Sequence, residues 1–221
     1  MARDPSRADV RATYERIGSH FSKTRRYAWP EVEAFVEDHG RGQWGLDLGC
    51  GNGRHSELLA DAVDRVVGLD ASRELLDSAD DRLADLDGVA LVQGDAATLP
   101  LADGVIDVAV YVATLHHLPT TNARRASLDE LARVLAPTGR ALVSVWSTAH
   151  DRFEDSADAE TGFDTTVDWT LPGGRTVPRF YHIYAPAEFE RDVAASDLIL
   201  DSLELSSGNC YAVVRPEGKR P

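Results

Sequence analysis

The sequence predicts an α/β fold: a seven-stranded, mostly parallel sheet with helices on both faces, finished by a C-terminal antiparallel hairpin. Three observations carry this. Short apolar runs alternate with helix-patterned segments from Trp44 to Trp146, the order that gives parallel strands joined by right-handed crossovers. The run Ile106–Val112 is almost continuously apolar, as a strand buried on both faces must be. A turn with glycines at alternate positions, Gly49, Gly51 and Gly53, joins the first apolar run to the helix after it. Glycine is required where a strand turns sharply and its backbone must lie close to a ligand.

Each element follows in order. Val10, Tyr14, Ile17 and Phe21 recur at helical spacing, predicting an amphipathic helix from about Pro5 to Ser22. Pro30 opens a second helix, which stops at Gly40. Trp44–Leu48 is the first strand, Arg54–Ala60 the first crossover helix and Val66–Leu69 the second strand. Ser72 caps a helix through Leu83, and Val89–Gln93 is the third strand. After the Ile106–Val112 strand, Thr120 or Thr121 caps a helix to Leu135, ended by the turn Ala136–Pro–Thr–Gly139. Arg124 and Arg125 are expected on its solvated face. Ala141–Trp146 is the fifth strand, with Trp146 read as core. Residues 147–180 are polar and rich in glycine and proline, predicting a long loop or small lid inserted after the fifth strand. Pro186 opens a helix to about Ala195, and Ile199–Leu205 and Cys210–Val214 form the closing hairpin. The 221 residues are thus expected to form one domain, with residues 1–40 as an N-terminal helical cap.

Composition narrows the setting. The chain has no apolar run of roughly 18 residues to cross a membrane. Its N-terminus lacks the apolar core of a signal peptide, so it is expected to be cytoplasmic and to have no membrane association. Two cysteines, Cys50 and Cys210, suggest neither a disulfide framework nor a metal cluster. The net charge is −14, and Lys23 and Lys219 are the only lysines among 23 basic residues. Aspartates crowd Asp77–Asp81 and Asp151–Asp158. An acidic, lysine-poor surface suits a halophilic protein working in molar salt, where self-repulsion is screened. The charge is uneven: residues 1–30 carry +4 and residues 211–221 carry +2, leaving −20 between them. Basic ends on an acidic body suit a partner that is an anion.

The apolar run that holds Asp47 leads into the glycine turn, and the next run ends in Asp70, placed to accept from both hydroxyls of a ribose. A third run ends in Gly94–Asp95–Ala96. The dinucleotide fingerprint is G-x-G-x-x-G; this chain instead has D-x-G-x-G-x-G, which resembles motif I of the class I S-adenosylmethionine-dependent methyltransferases and implies a Rossmann-like sheet. The likeness extends further. Tyr14–Glu–Arg–Ile–Gly–Ser–His–Phe–Ser–Lys–Thr–Arg25, Trp29–Pro30, Thr114–Leu–His–His–Leu118, Val145–Trp146, Arg179–Phe–Tyr–His–Ile–Tyr184 and Asn209–Cys–Tyr–Ala–Val213 resemble the tRNA wobble-uridine carboxymethyl methyltransferases. That family includes the methyltransferase domain of the AlkB-homologue fusion protein. Where the family commonly has Val-Pro-Trp, this chain has Val167–Asp168–Trp169.

The resemblance implies S-adenosylmethionine as cofactor and methyl transfer to the carboxylate of 5-carboxymethyluridine in the tRNA anticodon loop. A carboxylate is ionised at neutral pH, so no strong general base is needed. Asp47 and the backbone of Gly49, Cys50, Gly51 and Gly53 are expected at the methionine part, Asp70 and Ala71 at the ribose, and Asp95 and Ala96 at the adenine. Val112 and Ala113 border the adenosine or the methyl, while Tyr14 and Phe21 close over the cofactor and His117 stands beside it. For the acceptor carboxylate a cation is wanted, because guanidinium grips carboxylate with two hydrogen bonds. Arg25 comes first, then Arg179 and His182. His116 joins them as a catalytic candidate, against the plainer reading of a packing residue. Trp29, Trp169 and Tyr181, with Asp168 beside them, are candidates to hold a splayed-out base. The resemblance also implies a partner, the small zinc-binding methyltransferase activator subunit, docking on the apolar edge strand Val89–Val92. The alternatives are a small-molecule methyltransferase acting on a quinone precursor or similar metabolite, and a non-catalytic cofactor-binding module.

Overall fold

Ser6 starts the described chain's first helix with a reciprocal cap. Its hydroxyl accepts from the Asp9 N–H, and the Asp9 carboxylate accepts from the Ser6 N–H at 2.8 Å. The structure, a computed structural model, describes residues 5–156 and 159–218. Arg3, Asp4, Asp158, Lys219 and Arg220, which enter the charge distribution above, lie outside them.

Helix α1 (Arg7–Ser22) packs on α4 (Arg73–Leu83). Glu15 of α1 accepts from the Arg73 and Glu74 N–H groups at 2.9 and 3.0 Å, so its carboxylate caps the positive end of α4. Helix α2 (Pro30–His39) begins with Pro30 in its first turn, as expected. Its Val32, Phe35 and Val36 join α3 (Arg54–Ala60) against one face of the sheet. Strands β1 (Trp44–Leu48), β2 (Arg65–Asp70), β3 (Val89–Gln93), β4 (Ile106–Val112) and β5 (Leu135–Trp146) pair in parallel, and β9 (Asn209–Pro216) and β8 (Leu198–Ser206) add antiparallel. The order is β3-β2-β1-β4-β5-β9-β8, so β3 is an edge strand.

The apolar run of β4 resolves into a two-sided core. Val108, Val110 and Val112 face the α2–α3 layer, while Ala109 and Tyr111 face α5 (Thr121–Val134) and α6 (Pro186–Ala194) with Leu128, Leu131 and Phe189. Alternation of side chains along a strand demands apolar residues at every position when both faces are covered. No helix among the described residues is long and apolar enough to cross a membrane.

Two expectations are corrected and a third is narrowed. The turn at 136–139 does not precede β5 but sits inside it as a bulge: Ile106 pairs with Leu135, and Val108 with Arg140. A Cβ on Gly139 would lie 2.7 Å from the Ile106 carbonyl oxygen, so only glycine fits there. Arg124 is buried rather than solvated, donating to the Leu118 carbonyl and the Thr121 hydroxyl, whereas Arg125 is exposed as expected, pairing with Asp192 at 2.9 Å. Of the long loop or small lid expected at 147–180, the structure has the second, built from regular elements rather than as a loop. It carries a short 3-10 turn (Asp151–Ser156) and a β-hairpin, β6 (Phe163–Thr170) and β7 (Thr176–Ile183), turning through Gly173 and Gly174 at positive φ. β6 alternates in period two, with Phe163, Thr165, Val167 and Trp169 turned inward and Asp164, Thr166, Asp168 and Thr170 exposed, a pattern masked in sequence by the polar, glycine- and proline-rich composition of the segment as a whole. Beyond β7, Tyr184 bonds the backbone of Trp146 and Thr148, which fastens the hairpin to the end of β5.

Candidate active site

The glycine turn, Asp70, Asp95, Val112 and Ala113 lie at the carboxyl ends of the parallel strands, where open α/β sheets bind ligands, while α1 and the inserted hairpin supply the other walls. The Gly49 and Cys50 N–H groups donate to the Leu69 carbonyl at 2.7 and 3.0 Å, folding the glycine turn over the end of β2. Gly49, Gly51 and Gly53 all have φ between 55° and 77°. Their roles differ. A Cβ on Gly49 would collide with Thr114, and one on Gly53 would press on Leu83 of α4. A Cβ on Gly51 would meet nothing within 4 Å, because that side is open cavity. The Asp70 carboxylate accepts from Gly51 N–H at 2.9 Å and Ser72 N–H at 2.8 Å. Burial raises its pKa, and those backbone donors work against the rise.

Above the turn lies a cavity of about 1060 Å³. Gly49, Cys50, Gly51, Asp70, Ala71, Asp95, Ala96, Val112 and Ala113 all line it, roofed by Tyr14 and Phe21 of α1. Ala113 has φ 52°, a strained conformation for a residue with a Cβ, held by hydrogen bonds to Ser144. Burial pushes the Cys50 thiol well above its ordinary range, so it stays a neutral thiol. Asp95 accepts from Ala97 N–H at 2.9 Å and from Arg7 of α1 at 2.6 Å. Arg7 thus ties the start of the roof helix to the far end of the cavity, a contact that no motif announced.

At the other end the 3-10 turn Leu115–His117 brings two imidazoles beside β7. His117 Nδ1 lies 2.9 Å from the Phe180 carbonyl, which can only accept, so Nδ1 carries the proton and the Tyr14 hydroxyl donates to Nε2 at 2.8 Å. Burial lowers the His117 pKa to about 3. His116 has the opposite tautomer: its Nδ1 accepts from the Trp146 N–H at 2.9 Å, leaving the proton on Nε2. Burial also drives its pKa well below the ordinary value. Both rings are neutral, and neither is a poised base.

Both candidate arginines line the cavity, at different depths. Arg179, on β7, is 7% exposed and lines the cavity. It donates to the Tyr181 hydroxyl at 2.6 Å and lies over the Trp169 and Tyr181 rings, yet its Nε is buried without a partner. Among the described residues it has no carboxylate partner. Arg25 lies nearer the mouth, its guanidinium 4.5 Å from the Phe21 ring centre and donating to Thr24; burial lowers its pKa. The carboxylates that line the cavity, Asp70 and Asp95, sit at the β2–β3 side.

Five candidates do not line the cavity. Asp47 is 1% exposed beneath the turn, accepting from the Ser56 hydroxyl at 2.7 Å, and burial pushes it up to about 7. Gly53 starts α3 and faces α4. His182 lies between Asp164 at 2.7 Å and Glu188 at 3.0 Å, joining the hairpin to α6. Asp168 is exposed on β6 opposite Pro178. Trp169 donates from Nε1 to His20 Nδ1 at 3.0 Å and packs on Phe21, so it latches the hairpin to α1. Trp29, Tyr181, His116 and His117 do line the cavity. So do Asn52, Arg54, Trp146, His150 and Asn209, which sequence reasoning missed. Asn52 lies within the glycine turn and Arg54 directly after it, which was the available signal.

Residues 46–143 match the family described as a methyltransferase domain. The chain is 37% identical over 142 residues to the tRNA (carboxymethyluridine(34)-5-O)-methyltransferase of Arabidopsis thaliana, covering 64% of this chain and 33% of that protein. It is 30% identical over 162 residues to the Schizosaccharomyces pombe protein of the same name, covering 73% of this chain and 68% of that one. The chain therefore spans a third of the Arabidopsis relative, and 20% of the mouse one. Its fold is like that of a DhpI-SAH complex, at TM-score 0.72 and 24% identity over 96% of both chains. It is also like a complex of the Haloferax volcanii Trm112 methyltransferase activator with a putative methyltransferase, at TM-score 0.68 and 16% identity over 96% of this chain and 99% of that one. Glycine turn, Asp70, roofed cavity and relatives agree: this chain belongs to the class I S-adenosylmethionine-dependent methyltransferases, with the Rossmann-like sheet of that class, and is a homologue of the tRNA (carboxymethyluridine(34)-5-O)-methyltransferases.

Proposed function

We propose that this protein esterifies the carboxylate of 5-carboxymethyluridine at the wobble position of tRNA. The observation that carries the reading is Arg179, a buried cation without a carboxylate partner whose Nε faces no acceptor. A buried charge left unpaired is costly, so its position in the cavity wall suits an anionic acceptor. The relatives, whose names state the same reaction, support it.

The cavity fits S-adenosylmethionine: the open side of Gly51 admits close approach, and Asp70 is held by backbone donors with its carboxylate at the cavity wall. The bound cofactor supplies a methyl group on a positively charged sulfur. Asp70 would hold the ribose, Asp95 the adenine amino group, and Gly49 and Gly51 the backbone approach. Asp47 and Gly53 would act from beneath, shaping the turn. Arg179, with Arg25 nearer the mouth, would fix the acceptor carboxylate as an anion, so the attacking oxygen needs no deprotonation. His116 presents an Nε2–H and acts as a donor. Tyr14 and Phe21 exclude water from above. Orientation alone of this kind can lower a barrier by roughly 7–11 kcal/mol.

The small zinc-binding activator would add a strand to β3, whose outer edge pairs with no strand among the described residues. The likeness of this fold to a methyltransferase solved with such an activator supports that partner. The test is transfer of a labelled methyl group to tRNA from cells lacking this protein, in high salt, with and without the activator. A methyl ester on the wobble uridine is expected. Intact cofactor binding with no label in any tRNA would overturn the reading in favour of a small-molecule acceptor.

A further inference from the structure

Between α1 and α2 the chain runs Lys23–Thr–Arg–Arg–Tyr–Ala–Trp–Pro30, beside the cavity mouth. Its Tyr27 ring is 72% exposed, the most exposed of the large hydrophobic side chains. On either side of it in sequence, Arg25 and Trp29 line the cavity, and the Arg26 guanidinium lies 5.4 Å from the Tyr27 ring centre.

The segment has no regular hydrogen-bonded structure of its own, yet it is firmly held. Asn52 donates to the Ser22 and Arg25 carbonyls at 3.1 and 2.8 Å. Arg82 donates to the Arg25 and Arg26 carbonyls, and Arg54 to that of Tyr27. Three side chains from the glycine turn, α3 and α4 thus tie successive carbonyls inward, while Lys23, Arg26 and Tyr27 point to solvent. Among the described residues none of Lys23, Arg25, Arg26 or Arg54 is ion-paired; other arginines, such as Arg16, Arg41 and Arg65, share that state, but these four lie together beside the cavity mouth. Glu57, which pairs with Arg82 at 3.1 Å, is the carboxylate bound within the patch. On a chain of net charge −14, a cluster of unneutralised cations around an exposed aromatic ring is complementary to a polyanion that also offers flat rings. Single-stranded nucleic acid has that chemistry.

We propose that Lys23–Pro30 is a docking platform for single-stranded RNA, with Tyr27 stacking on a base next to the one that enters the cavity and Arg26 meeting the phosphate between them. This rests on the reading of an RNA acceptor above. The pre-tied backbone lowers the entropy lost on binding. Stacking, unlike phosphate contact, keeps its strength in high salt, which suits a protein of this surface charge.

The test uses the full chain with its activator and an anticodon stem–loop RNA carrying 2-aminopurine on one side or the other of the wobble uridine. Emission is expected to be quenched on binding at one of the two positions. Tyr27→Ala should remove the quench and weaken binding about 5- to 100-fold, while leaving S-adenosylmethionine affinity by calorimetry unchanged. Tyr27→Phe should restore the quench. Arg26→Gln should instead reduce the slope of log affinity against log salt by about 0.7. An undiminished quench with Tyr27→Ala would overturn the platform while leaving the RNA acceptor standing. Loss of activator binding with Tyr27→Ala would equally overturn it, assigning the ring to a protein contact. Failure of the unmutated protein to bind the RNA at any salt concentration would overturn the acceptor itself.

Discussion

Arg179 is the residue on which the acceptor reading turns, and its burial sets the size of the effect. A hydrogen bond to a charged group contributes about 1.5–3 kcal/mol, so Arg179→Gln should lower kcat/KM for tRNA about 10- to 100-fold in steady-state methyl transfer. S-adenosylmethionine affinity should not change, because the cofactor residues lie toward β2 and β3. Arg179→Lys should recover only part of the loss, since a point charge lacks the planar fork. Asp70→Ala should behave in the opposite way. It removes the ribose partner and the acceptor of the Gly51 N–H, so cofactor affinity by calorimetry should fall at least about 10-fold. Both residues were legible in the sequence, Asp70 from its place at the end of an apolar run and Arg179 from a motif. Their burial was not: neither Arg25 nor Arg179 holds a carboxylate among the described residues, and only the fold shows that Arg179 is the more buried of the two, with its Nε left without a partner.

At the scale of elements, the hairpin β6–β7 and helix α1 close the cavity from two sides, and Trp169 joins them. Its indole N–H donates to His20 on α1. Trp169→Phe keeps the ring contact with Phe21 but loses that hydrogen bond, worth about 1 kcal/mol. The expected result is a few-fold rise in KM for tRNA and faster amide exchange in α1, with kcat little changed. Equal exchange rates in the two proteins would show that the latch does not hold α1. The segment expected as a long loop or small lid is a hairpin whose β6 alternates inward and outward residues; its polar, glycine- and proline-rich composition hid that period, and β7 holds it in place through buried Tyr181, Ile183 and the following Tyr184. The parallel strands were legible at once, for the converse reason: β1, β2 and β4 bury nearly every residue.

For the whole molecule, buried titratable groups and net charge set the response to solvent. His55 and His117 are both lowered by burial to about 3. The unfolded chain protonates them below about 6.5, so stability is fully present above that pH and falls as pH drops from there toward 3. Asp47, raised to about 7, acts with the other sign: its stabilisation is present below about 4 and is lost as pH rises through 7. His116 is lowered in the same way and Asp70 raised like Asp47, so three histidines oppose two aspartates and thermal midpoints should decline from pH 6.5 to 4 and more steeply below. His55→Gln should flatten that decline. A net charge of −14 also predicts a midpoint that climbs with potassium chloride, most of the gain arriving before about 1 M, where the screening length is about 3 Å. A midpoint independent of salt would exclude self-repulsion as a significant term. The sequence by itself determined the strand alternation, the glycine turn, Asp70 and the acidic surface, because these depend on local period, backbone freedom and composition. Only the tertiary structure decided that Asp47 and Gly53 support the cavity from outside it, that Trp169 is a latch, and that Arg179 is buried without a carboxylate. Those are matters of which side chains meet across the fold, and the chain brings them together from residues separated by up to 149 positions.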